Sequence, residues 1–137
     1  MEDSKKEKYI DGTSPKPVSF KGTENILNQM NDCVCRIYNN GNGTGFFIKN
    51  PFKYKFISIL ITNNHILNED DIRNNKMVII YLNNDKIEKT IEIDNNRLRY
   101  TNKDLDITII EIKENKDKLN NKYLELDGSI INYFKSN

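Results

Sequence analysis

The chain contains no tryptophan and no alanine, and only one histidine, two cysteines and three prolines among its 137 residues. Two cysteines cannot build the disulfide framework of a small secreted domain. Cys33 and Cys35 stand two apart in CVCRIY, so on a strand they share one face and do not bridge each other. With His65 they give three zinc ligands and no paired ligand motif, so no metal and no cofactor are expected and the thiols are read as reduced. Charge of one sign is missing too. The 21 basic and 20 acidic residues leave a net charge of +1, which excludes a strongly basic nucleic-acid binder and an acidic tail. No apolar run approaches the roughly 18 residues of a membrane-spanning helix. The first eight residues hold six charges and no apolar stretch of signal-peptide type follows, so the expected location is cytoplasmic.

What is abundant is polar padding. There are 22 Asn, 20 Ile and 17 Lys, residues favoured by AT-rich codons. The asparagine pairs at 39–40, 63–64, 74–75, 83–84, 95–96 and 120–121 read as drift that fills turns. Hydrophobic residues make up 36% and charged residues 30%, against a usual apolar share of about 45–50%. At this length one domain with one modest core is expected.

Residues 1–21 carry Pro15, Pro17 and many charges with little apolar period, and read as a flexible lead-in. Thr23 is placed to cap a short helix, TENILNQM, in which Ile26, Leu27 and Met30 recur at helical spacing. Seven short β-rich runs then follow: CVCRIY, GTGFFIK, FISILIT, MVIIYL, KIEKTIEI, RLRY and DITIIEI. NNGN joins the first two as a tight hairpin. Runs at this spacing, with no β-α-β rhythm, indicate an all-β antiparallel sandwich or small barrel.

His65 follows the apolar run FISILIT, where a strand delivers a polar side chain to a sheet end. It is either an incidental histidine or a general base, the role that a near-neutral imidazole suits. Asp106 directly precedes the apolar run ITIIEI, with Asp104 two residues earlier. Each is a solvated turn carboxylate or the acceptor that orients the histidine. The glycines of GNGTGFFI lack the lysine and the following helix of a phosphate loop, and are read as sites of close backbone packing or a bulge.

Order and spacing join these pieces. GTGFFI, then ITNNHIL about a dozen residues on, then Asp106 forty-one residues after His65, resembles the first half of a trypsin-like serine protease. Thr62, Asn63, Asn64 and His65 stand at that family's T-A-A-H positions, with asparagine for both alanines. Asp106 to Ile110 stand at its D-I-A-L-L positions. The resemblance implies an antiparallel barrel of six or seven strands over residues 22–127, the first of two, with 128–137 opening a connection to the second. It implies His65 as base and Asp106 as its orienting carboxylate, with Asp104 the weaker candidate. Ile66 stands where the digestive branch has a cysteine, and no I-V-G-G-type activation sequence occurs, so the chain looks closer to bacterial heat-stress-type and other intracellular members.

The family's nucleophile turn, G-[DN]-S-G, is missing. Of Ser4, Ser14, Ser19, Ser58, Ser129 and Ser136, only Ser129 and Ser136 follow Asp106, and the DGSIIN setting of Ser129 lacks that turn. Cys33 and Cys35 precede the histidine. The expectation is therefore a serine endopeptidase fragment holding two of three triad members and inactive alone, whose partner would be a peptide or protein substrate once a second barrel completes it. The isolated half would self-associate or bind a partner protein through its uncovered face. A non-catalytic half-barrel that binds protein is the alternative. An oligonucleotide-binding barrel has Phe46, Phe47, Tyr54 and Phe56 for stacking, but no basic stripe supports it.

Overall fold

A computed structural model describes residues 16–52, 55–119 and 122–125. Most of the expected lead-in and all of the expected connection at 128–137 lie outside the described residues, as does Ser129. The helix α1 spans Phe20–Cys33. Its cap is Ser19, whose hydroxyl accepts from the Gly22 N–H at 3.0 Å, while Thr23 lies within the first turn and donates its N–H to the Ser19 carbonyl. The expected cap is corrected from Thr23 to Ser19 because the helix starts before TENILNQM, and its first residue falls inside the segment read as flexible. Ile26, Leu27 and Met30 are all exposed, so their helical spacing marks a surface stripe and not a core face.

Each of the seven β-rich runs contributes one strand: β1 Val34–Tyr38, β2 Asn42–Phe52, β3 Lys55–Thr62, β4 Met77–Leu82, β5 Ile87–Glu92, β6 Arg99–Asn102 and β7 Ile107–Glu111. They form one antiparallel sheet in the order β5-β4-β1-β2-β3-β7-β6, curled into a half-barrel. Two short helices, α2 Glu69–Arg73 and α3 Glu114–Asp117, follow β3 and β7. The fold is thus mostly antiparallel β with little helix, as expected. Cys33 ends α1 and does not belong to β1, so the two cysteines share no strand face, although both are buried.

Alternation puts one set of side chains inside. Cys35 and Ile37 of β1, Phe47 of β2, Leu60 of β3, Val78, Ile80 and Leu82 of β4, Ile91 of β5 and Ile110 of β7 form the main core. Gly45 faces inward among Cys35, Ile37 and Leu60, where an added Cβ would lie 2.8 Å from two methyl groups. β3 reads as nearly continuous apolar sequence because its other face is covered as well. Ile57 and Ile59 join Ile48 in a smaller cluster under Leu124, whose N–H donates to the Phe47 carbonyl at 2.8 Å.

The edge strands β5 and β6 are consecutive in the chain, and the segment between them is held by buried charge. Arg97, fully buried, gives two hydrogen bonds of 2.9 Å to the carboxylate of Asp117 and a third to the Glu111 carbonyl. Asp117 also accepts the Lys113 N–H, and Asp94 pairs with Lys116 and lies 3.5 Å from Arg97. These contacts fasten the β5–β6 connection to α3 beyond β7.

Removing one member of such a pair leaves an uncompensated buried ion. Asp117→Ala is expected to destabilise the fold by about 3–5 kcal/mol, read from urea denaturation. Lys116, then the Asn96 N–H and Arg97, hold the Asp94 carboxyl down at about 2. A depressed carboxyl stabilises the fold above its ordinary value near 4 and loses that contribution as pH falls through its folded value. Melting temperatures of Asp94→Asn should therefore fall less than those of the parent between about pH 4 and pH 2.

Candidate active site

β3 ends at Thr62, and residues 63–68 turn across the sheet end before α2. The turn is anchored by its apolar members. Leu67 is fully buried in the main core, worth about 1.5–3 kcal/mol by burial alone. Ile66 packs against the α-carbon of Gly43, so closely that a Cβ there would meet three Ile66 atoms at 2.5–2.7 Å. This is the close approach that the GNGTG run allows. Asn39, from the β1–β2 hairpin, donates its amide to the Ile66 carbonyl at 2.8 Å and to Asp71 at 3.0 Å. Asn68 and Asp71 exchange side-chain to backbone hydrogen bonds and cap α2.

Asp106 closes the turn 103–106 directly before β7. Its backbone is left-handed, with φ of 50°, a conformation that aspartate adopts more readily than most residues. The turn brings the Asp106 carboxylate to the turn after β3. One oxygen accepts the His65 backbone N–H at 3.0 Å, and the other lies 2.7 Å from the ring Nδ1. An ionised carboxylate only accepts, so the short contact assigns the ring proton to Nδ1. Nε2 has no partner among the described residues. The Asp106 carboxyl is held below its ordinary range, first by the His65 backbone N–H and then by the imidazole, with the Asn64 backbone N–H adding to both.

The structure thus brings together His65 and Asp106, which stand forty-one positions apart in sequence. Asp104 is exposed in the same turn and takes no part in the contact. Both members of the pair face solvent, with side-chain exposures of 65% and 46%.

The two asparagines before His65 escaped the sequence reading, which assigned them to turn filling. Asn63 donates its amide to the Asp106 carbonyl at 3.1 Å and to the carboxylate at 3.3 Å. Asn64, buried, donates to the Thr101 hydroxyl at 2.6 Å. The Thr101 and Thr108 hydroxyls lie 2.7 Å apart, and Thr108 donates to the Leu67 carbonyl at 2.6 Å. Since a carbonyl can only accept, the order runs from Asn64 through Thr101 and Thr108 to Leu67. The signal available in the sequence was a pair of asparagines directly before the one histidine.

No nucleophile stands against His65 among the described residues. Ser58 is buried and donates to Glu114, and Ser19 caps α1. Burial pushes the Cys35 thiol up to about 12, opposed only by the Gly45 N–H, and also raises that of Cys33. Both are neutral thiols at neutral pH. No three histidine, cysteine or acidic side chains cluster as a metal site among the described residues. No described helix is long and apolar enough to cross a membrane. A groove of about 620 Å³ opens between α1 and the outer face of the sheet, lined by Leu27, Met30, Arg36 and Tyr81 among others, and it includes neither member of the pair.

Gly43→Ala forces Ile66 off the β2 backbone and with it the turn that carries His65. The expected cost is about 1–3 kcal/mol of overpacking, read by denaturation. Comparison with family models, with characterised proteins and with solved structures finds no match in any of the three.

Proposed function

We propose that this chain is the histidine–aspartate half of a trypsin-like serine endopeptidase. The observation that carries the reading is the contact of His65 Nδ1 with Asp106 at 2.7 Å, with the same carboxylate holding the His65 backbone N–H. A carboxylate on Nδ1 fixes the tautomer, leaves the Nε2 lone pair free to take a proton and stabilises the imidazolium that forms. In this reading the curled sheet is the first barrel of the pair. Nε2 would deprotonate a serine hydroxyl delivered by a second barrel, and the serine would attack the peptide carbonyl. The imidazolium would then return the proton to the leaving amine.

An acyl-transfer site also needs oxyanion donors and a substrate cleft, which the second barrel would supply. Exposure of the pair fits a face that awaits such a partner, and Leu105, beside Asp106, is 71% exposed. The lack of a described hydroxyl or thiol against His65 favours a second reading, a non-catalytic half-barrel that binds another protein over the same face.

The native protein, isolated from its source, separates the two. A serine-directed fluorophosphonate probe should label a species that contains this sequence and exceeds it in intact mass. His65→Ala should reduce the labelling rate by about 10⁴-fold or more. An unlabelled product with the mass of these 137 residues would overturn the protease reading and leave the binding module.

A further inference from the structure

We propose that Asn63 is a positioning residue for the His65–Asp106 pair, its amide clamping the aspartate by main chain and side chain at once. The inference rests on the pair being the working site. Besides Asn63, the Asp106 carboxylate is held by residue 65, from its backbone and its ring, and by the Asn64 backbone N–H. These donors meet the carboxylate alone and leave the main chain of its turn ungripped. Asn63 supplies a further point that takes hold of both. Its Nδ2 reaches the Asp106 carbonyl at 3.1 Å and Oδ2 at 3.3 Å, so it fixes the turn at 103–106 and the side-chain torsion together.

Oδ2 is also the oxygen that receives the ring Nδ1. A carboxylate has about four lone-pair sites and can accept both donors. Alanine at position 63, as in the family pattern, could make neither contact. Asn64 serves the other side of the same turn, where its buried amide ties the backbone to Thr101. One asparagine holds the carboxylate and the other holds the loop, so the pair is assembled by groups that this chain itself provides.

The single histidine makes a direct test possible, because these 137 residues hold only one imidazole. The probe is the low-field proton resonance of His65 Nδ1–H, with its rate of exchange with water, in the ¹⁵N-labelled chain at low temperature. Asn63→Ala removes both contacts, and Asn63→Asp keeps the shape but replaces the donor with a repelling acceptor. Both substitutions are at an exposed site, and the amide spectrum checks that each variant is folded. Exchange should speed by roughly three- to tenfold in Asn63→Ala, the worth of one ordinary hydrogen bond, and by more in Asn63→Asp. Asp106→Asn should abolish the protected resonance. Exchange unchanged in both Asn63 variants, with the resonance lost in Asp106→Asn, overturns the role of Asn63 and leaves the pair standing. A resonance that survives Asp106→Asn overturns the pair, and the role of Asn63 with it.

Discussion

The hydroxyl of Thr108 donates to the carbonyl of Leu67 across the interior at 2.6 Å, from a side chain with no exposure at all. A buried carbonyl left without a donor would cost about 1–3 kcal/mol, so this bond fixes how close the turn after β3 must lie to β7. Thr108 is two residues beyond Asp106 and Leu67 two beyond His65. Once the interior pair is joined, the exterior pair is in reach, and the 2.7 Å contact between ring and carboxylate follows from the register of the core.

The polar chain behind it has one direction. Asn64 donates, the two threonines relay, and the Leu67 carbonyl receives. Each hydroxyl uses its single proton once, which is what makes a buried polar row tolerable inside an isoleucine-rich core. The row also explains why β7 carries threonine at 108 and β6 threonine at 101, opposite each other in register. These are the inward positions where the sheet meets the turn and where an aliphatic side chain would leave the carbonyl unmet.

Much of the sheet was legible because alternation and turn chemistry speak locally. β1 and β4 bury every second residue, as the pattern requires. Asn40, Asn75, Asn83 and Asn84 take left-handed backbone angles, so the reading of asparagine as turn filler holds at those sites. It fails at Asn63 and Asn64, whose amides act across the structure on partners 43 and 37 residues away. Sequence period carries no sign of such partners. The same is true of Arg97 and Asp117, which look like two more surface charges in a chain rich in them and turn out to be a buried bidentate pair. The helices α2 and α3, of five and four residues, are too short for a periodic signal; α2 rests on its capping box, and α3, which has no side-chain cap at its N-terminus, on the contacts of Asp117. The start of α1 was missed because Ser19 caps it through Gly22, a residue that propensity alone sets against helix.

The anchoring of Leu67 has a dynamic consequence. Surface loops that bear functional groups usually belong to the least stable part of a protein and open on their own. Here the turn has its second apolar residue in the centre of the main core and its carbonyl tied to a strand that is itself interior to the sheet. The imidazole stands in solvent on a segment that cannot fray without disrupting the core. Opening of that segment and loss of the native fold should thus be one cooperative event, leaving a solvent-facing imidazole on a rigid support.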